Sequence, residues 1–295
     1  MRTTILWFAG ILTGVFIIFS LLDHTGDYSA EQIIWNANNK LSKIAKNTAV
    51  VPDQAFAPII KAYEKVINSF PLARMRPMAY VYLGQAYIIK KDYAKAREVF
   101  GEISTNYPND INLRSQALSN IGNSYEIQGN WAEALTIYKK LEKDAPYTDL
   151  GLGVPLYIAN YYKRHAEEAM AEDMFKEAAD YYKKTAKEHL NSEIEYKSLR
   201  LLSNCYLAEE KWVDAVGAMS QILLKYPSPA IAGPIIDTIN NVVIAKIKDL
   251  NFAIAVYQDL IVKKPESPLN KMLTQKINAF KTLKEKNVKI IEAKK

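Results

Sequence analysis

Between Pro77 and Pro146 one pattern of small, large and punctuating residues occurs twice. The first copy runs Tyr80-x-x-Leu83-Gly84-x-x-Tyr87, then Ala96-x-x-x-Phe100, and ends at Tyr107-Pro108. The second runs Leu118-x-x-Ile121-Gly122-x-x-Tyr125, then Ala134-x-x-x-Tyr138, and ends at Pro146. Matching positions are 38 residues apart. Such a chain is constrained to stack its copies, because a single copy cannot bury its apolar face alone.

Apolar residues three and four apart share one face of a helix, so Tyr80, Leu83 and Tyr87 form a stripe. Gly84 and Ala96 are small where a first and a second helix must approach, with Phe100 or Tyr138 filling the space beside them. Pro108 and Pro146 then end each pair, since proline lacks the N–H a helix needs and clashes with the preceding turn. These residues resemble the tetratricopeptide repeat (TPR), whose signature is W-x-x-L-G-x-x-Y, A-x-x-x-F, P. The resemblance implies an all-α fold, a right-handed solenoid of antiparallel helix pairs, and a role in binding proteins or peptides.

Weaker copies follow once the register is fixed. Leu199, Leu202, Tyr206, Ala215, Met219 and Pro227 form one, with Ser203 in the glycine position. Ala253, Tyr257, Leu260 and Pro265 supply the second helix of another, whose first helix (Asp237, Asn240, Ile244) is degenerate. Tyr63, Val66 and Phe70-Pro71 read as the second helix of a leading pair. The segment with Tyr157, Tyr161, Phe175, Tyr182 and Leu190 is long enough for a further pair with an inserted turn. About six pairs are therefore expected over residues 29 to 267, with a first pair opened by a Ser29-x-x-Gln32 capping box. Trp35 reads as a packing aromatic. The expected organisation is 1–28 anchor and linker, 29–268 solenoid, and 269–295 basic capping helix and tail, with that helix from about Leu269 to Lys286.

Ile5 to Leu22 is uncharged, and with its flanking threonines would span roughly 30 Å as a helix, about one bilayer core. A single-pass transmembrane anchor in the lipid bilayer is expected; a cleaved secretory signal, leaving a soluble periplasmic protein, is the rival. Arg2 precedes the run and Asp23, Asp27 and Glu31 follow it, which puts the repeats outside the cytoplasm. Gly10 and Gly14 have the spacing of a helix-pairing motif in lipid, and so of a homodimer. Residues 269–295 carry eight Lys and two Glu, which accounts for the whole net charge of +6. Attraction to an anionic surface and a solvated lysine-rich helix face both explain that excess. The basic residues do not track the repeats as a stripe, so no nucleic acid partner is expected.

Catalytic patterns are absent from the sequence. The three histidines, His24, His165 and His189, have no recurring metal-ligand spacing, though His165 and Glu168 could share a helix face. Cys205 is the only cysteine, beside Tyr206 on a first helix, and reads as a buried, inert thiol. No glycine-rich phosphate loop or G-x-S-x-G elbow occurs. The expectation is a non-enzyme with no cofactor and no metal.

In TPR proteins the exposed face of the first helices lines the ligand groove. The resemblance would place Met78, Val81, Gln85 and Ile88 there in the first copy, Gln116, Ser119, Asn123 and Glu126 in the second, and Lys197, Arg200, Asn204 and Leu207 in the third. Gln85, Asn123 and Asn204 recur at one slot and could bond a peptide backbone; the alternative is that they solvate the inner face. Repeats of 37 to 38 residues with aromatic-Pro endings (Phe70-Pro71, Tyr107-Pro108, Tyr226-Pro227) resemble bacterial envelope TPR proteins of the outer-membrane assembly lipoprotein and Tol-Pal-associated coordinator class. That resemblance implies a scaffold at the inner membrane with repeats facing the periplasm. A receptor-type protein with cytosolic repeats and an oligomerising spacer without a groove ligand are the other readings.

Overall fold

A computed structural model describes residues 26–46 and 51–292, with side chains through residue 286. The expected transmembrane helix, with Gly10 and Gly14, lies outside the described residues. Among those described there are thirteen α-helices. The chain divides into two compact units at Gly151–Leu152.

The first unit holds α1 (Asp27–Ala45), α2 (Ala57–Ser69), α3 (Arg76–Ile89), α4 (Tyr93–Asn106), α5 (Ile111–Ile127) and α6 (Trp131–Asp144). Consecutive helices pack on one another, and α1 also touches α3. The second unit holds most of α7 (Asp149–Arg164), then α8 (Glu168–Glu188), α9 (Glu193–Ala208), α10 (Trp212–Lys225), α11 (Pro229–Val242), α12 (Leu250–Lys263) and α13 (Asn270–Glu292). A π-helical turn, Val243–Ile247, extends α11. That apolar stretch, Pro229–Ile247, is long enough to cross a membrane by length and composition. Here Ala232, Ile236, Ile239 and Val243 are buried in a core shared with α12 and α13.

The helices are paired as the repeat requires: α1/α2, α3/α4, α5/α6, α7/α8, α9/α10 and α11/α12. Eight residues before each closing position stands one large, buried side chain: Tyr63, Phe100, Tyr138, Tyr182, Met219 and Tyr257. Twelve before it stand Ile59, Ala96, Ala134, Ala178, Ala215 and Ala253, all with no exposed surface. Gly84 and Gly122 face these large residues. A Cβ on Gly84 would lie 2.4 Å from Phe100 Cε1, and one on Gly122 would lie 2.5 Å from Tyr138 Cε1. Glycine is required at both for steric rather than conformational reasons.

The turn from first to second helix has one geometry in the α3/α4, α5/α6, α7/α8 and α9/α10 pairs. Lys91, Gly129, Ala166 and Glu210 all have positive φ, between 57° and 74°. The next N–H reaches back to a tyrosine carbonyl: Asp92 to Tyr87 at 2.9 Å, Asn130 to Tyr125 at 2.9 Å, Glu167 to Tyr162 at 3.1 Å and Lys211 to Tyr206 at 2.9 Å. The positive-φ residue itself donates one turn back, as in Lys91 N to Ile88 O at 2.9 Å. This is the Schellman closure, which satisfies otherwise orphaned helix carbonyls. Helix starts are capped by Asp92, Asp110, Ser192 and Asp249, each accepting from a backbone N–H two or three residues on.

Several expectations are corrected. No capping box forms at Ser29 and Gln32: the helix starts at Asp27, with Gly26 at φ 74° and no side-chain cap. Asp27 instead accepts from the Arg74 backbone N–H at 2.7 Å and from Arg74 Nε at 3.2 Å, so a contact distant in sequence sets this start. Trp35 is 65% exposed, because the buried stripe of α1 is Ala30, Ile34, Ala37 and Leu41. No turn is inserted in the fourth pair. Its extra residues lengthen α8 to 21, with the apolar stripe running unbroken from Ala171 to Ala186. His165 and Glu168 share no helix face, since α7 ends at Arg164 and α8 begins at Glu168; the His165 ring stacks on Tyr161 at 4.0 Å. The capping helix continues past Lys286 to Glu292.

Candidate interaction surface

The first-helix residues expected to line a groove do not form one class. Val81 has no exposed surface and belongs to the apolar core of the first unit, because α3 turns this face toward the preceding pair. Glu126 is half-buried and accepts from the Tyr138 hydroxyl at 3.0 Å, so it holds its own pair together. Lys197 is bonded to Glu193 at 2.7 Å, one turn away on α9. Gln85 is half-buried, while Asn123, Arg200 and Asn204 are exposed, with the Arg200 guanidinium 5.7 Å from the Tyr196 ring centroid. Val81, Gln85, Asn123 and Glu126 lie in the first unit, and Lys197, Arg200 and Asn204 in the second.

The residues expected to define the repeat separate into three groups. Leu83, Gly84, Tyr87, Ala96, Phe100, Gly122, Ala134, Tyr138, Leu202, Ala215, Ala253 and Tyr257 are buried. Pro108 and Pro265 are exposed, and Pro146 and Pro227 half-buried, as helix-ending residues rather than core. Ile121, Tyr125 and Tyr206 are half-buried. Tyr125 is covered on one side by Arg97, whose guanidinium is 4.1 Å from the ring centroid and also donates to Gln128 Oε1 at 2.6 Å. This arginine clamps α4 to α5, and nothing in the repeat pattern marks it.

Hydroxyls tie second helices to first helices. Tyr63 donates to Asn38 Oδ1 at 2.6 Å, Tyr182 to the Leu152 carbonyl at 2.8 Å, and Tyr257 to Asn240 Oδ1 at 2.8 Å. Burial pushes the Tyr63 and Tyr257 phenols far above their usual range. The acceptor Asn38 escaped sequence reasoning because it falls outside the repeat signature, and Asn240, which reads there only as part of a degenerate first helix, shows no bonding role in sequence.

Two grooves open between successive second helices, each floored by the first helix between them. In the first unit α2 and α4 flank a cavity of about 300 Å³ over Tyr80, Leu83 and Tyr87. Its rim carries Glu64, Lys95, Glu98 and Glu102. In the second unit α8 and α10 flank a cavity of about 540 Å³ over Leu199, Leu202 and Tyr206, at the corresponding repeat positions. Its rim carries Lys183, Lys187, Asp214 and Lys225, with Glu195 at one end. The signature residues thus floor these grooves from the side opposite to the one the resemblance implied.

Glu195 is 1% exposed. Burial alone would raise its pKa, but hydrogen bonds from Lys225, the Asn191 N–H and the Tyr226 hydroxyl outweigh that and hold the carboxyl below its usual range. Tyr226 is correspondingly raised to about 12, by burial and by that carboxylate. Cys205 is fully buried and its thiol is pushed up to about 12, chiefly by burial and secondarily by Glu209. Among the described residues no three His, Cys, Asp or Glu side chains are grouped so as to hold a metal ion.

Residues 78–110 and 116–146 match the sequence profile of the tetratricopeptide repeat. The pairs α3/α4 and α5/α6 are TPR repeats. The other pairs follow their register within an all-helical, TPR-like arrangement. A search of curated proteins returns no match. Among solved structures, the TPR2AB-domain:pHSP90 complex of yeast Sti1 is similar over 87% of this chain and 100% of that one, at 13% identity and a TM-score of 0.35. The APC/C hetero-tetramer Cut9-Hcn1 is similar over 85% of this chain and 52% of that one, at 17% identity and a TM-score of 0.26.

Proposed function

We propose that this chain is a non-enzymatic scaffold that holds partner proteins at a membrane, with its repeats on the extracytoplasmic side of a bacterial inner membrane. The observation that carries the binding role is the pair of TPR repeats at 78–110 and 116–146. A stack of rigid helix pairs presents preformed surfaces, so that binding orders few side chains of the scaffold itself. The tether reading rests on the uncharged run from Ile5 to Leu22, and its orientation on Arg2 before the run and Asp23 after it. The envelope reading rests on the aromatic-Pro endings and repeat spacing.

The test combines protease accessibility of the repeats in intact cells, spheroplasts and lysed membranes with in-cell crosslinking and mass spectrometry. Digestion after the outer barrier is opened, with crosslinks to envelope proteins, is expected. Protection until the inner membrane is broken overturns the orientation and favours a cytosolic receptor. Self-crosslinks alone would favour an oligomerising spacer.

A further inference from the structure

The two grooves between second helices share their architecture and differ in their charge. In the second unit the rim is internally compensated. Lys225 is paired with the buried Glu195, and Lys183 lies 3.3 Å from Asp180. In the first unit Glu64 stands on α2, while Glu98 and Glu102 lie one turn apart on α4. All three are exposed, and among the described residues none has an ion-pair partner. Lys95 on that rim sits 5.7 Å from the Tyr87 ring centroid, and the Arg76 guanidinium lies 5.7 Å from the ring centroid of Tyr80. Among the described residues the rim therefore carries three carboxylates against one ammonium, with the Arg76 guanidinium beside the floor.

Between these rims lies a narrow floor with room for a single apolar side chain. Tyr80, Leu83 and Tyr87 are each less than 10% exposed, and Ile67 and Val99 stand on either wall. The field of the carboxylates converges on that floor: Tyr87 is raised first by burial and then by Glu64, Asp92 and Glu98. A cavity of about 300 Å³ holds a few side chains rather than a folded element. An apolar anchor flanked by cations would remove water from the floor and neutralise the rim at once.

We propose that the groove between α2 and α4 docks a basic amphipathic segment of a partner protein, its lysines or arginines on Glu64, Glu98 and Glu102 and its apolar side chain over Tyr80, Leu83 and Tyr87. This names a partner class for the scaffold and rests on that reading. It uses the second-helix side of the repeats, leaving Asn123, Arg200 and Asn204 on the first helices free for another ligand.

The test is fluorescence anisotropy on the full chain in detergent, with a labelled 14-residue amphipathic peptide of Leu and Lys and its Leu/Glu counterpart. The Leu/Lys peptide is expected to bind at least tenfold more tightly, and its affinity to fall with added salt. The double variant Glu98→Gln/Glu102→Gln is expected to weaken it about tenfold, which is about 1.4 kcal/mol, with circular dichroism unchanged. The matched variant Lys183→Gln/Lys187→Gln in the second unit should leave binding as it was. Equal affinity for the two peptides, or an affinity untouched by the Glu98/Glu102 change, overturns the proposal. In-cell crosslinks that persist in that double variant overturn the groove while leaving the scaffold role intact.

Discussion

The Tyr226 hydroxyl donates to Glu195 Oε2 at 2.9 Å, tying the end of a second helix to the start of the first helix of its own pair. The Ser192 carbonyl lies 3.0 Å from the same hydroxyl as a second acceptor for its one proton, and the Tyr226 ring meets Tyr196 edge-on at 5.3 Å. The equivalent contact in the α3/α4 pair has the opposite polarity: Arg76 donates to the Tyr107 hydroxyl at 3.3 Å, and Tyr107 meets Tyr80 edge-on. One aromatic-Pro ending is held by a carboxylate and the other by a guanidinium. The polar contact falls at the same repeat position with inverted charge, while the ring partners Tyr196 and Tyr80 stand at different positions.

Glu195→Gln should destabilise the second unit by about 2 kcal/mol at neutral pH, the range expected for hydrogen bonds to a buried charge with one partly exposed partner. The folded-state pKa of Glu195 is lowered, so this stabilisation is present above the ordinary carboxylate range and is lost as pH falls through the folded value. Urea melts of both proteins between pH 7 and pH 3 should converge in acid. A difference that does not vary with pH would contradict this account.

Gly84→Ala should destabilise by about 1–3 kcal/mol, even though alanine is the better helix former. The added methyl would meet the Phe100 ring at 2.4 Å, in a site with no exposed surface. Phe100→Leu should recover part of the loss, giving a coupling of about 1 kcal/mol in a double-mutant cycle of melting temperatures. Strict additivity would show that the two residues do not press on each other.

Tyr257→Phe should cost about 1–2 kcal/mol, because Asn240 Oδ1 loses its 2.8 Å partner in a part-buried setting. Phe100→Tyr, at the corresponding position of the α3/α4 pair, should also destabilise, since Ile88 stands where Glu126 accepts from Tyr138 and the new hydroxyl lacks that acceptor. Thermal melts of the two variants would measure both effects.

Lys91→Gly and Glu210→Gly should each stabilise by about 0.5–1 kcal/mol, since both residues hold a left-handed backbone that glycine adopts without strain. Gly129→Ala, at the corresponding turn, should do the reverse. Denaturant midpoints with unchanged m-values are the readout.

Cys205 should resist thiol reagents at pH 8 in the folded protein and react within minutes in urea, because its thiol is buried and raised to about 12. Rapid labelling of the native chain would contradict its placement.

The sequence by itself determined the helix pairs, the close approach of Gly84 to Phe100 and of Gly122 to Tyr138, and the breaks at the prolines. Those features follow from spacing and side-chain size, which are local. The Schellman turns were not legible, because three of the four residues holding positive φ there, Lys91, Ala166 and Glu210, carry side chains and give no glycine signal. Tertiary structure decided that Val81 is core, that Glu126 belongs to Tyr138, that Asp27 rather than Ser29 starts α1, and that Trp35 is exposed. Each depends on which helix face a neighbouring pair covers, a contact made between residues distant in the chain. The charge of the grooves was decided in the same way, since Glu64 meets Glu98 and Glu102 only after α2 and α4 are set side by side over α3.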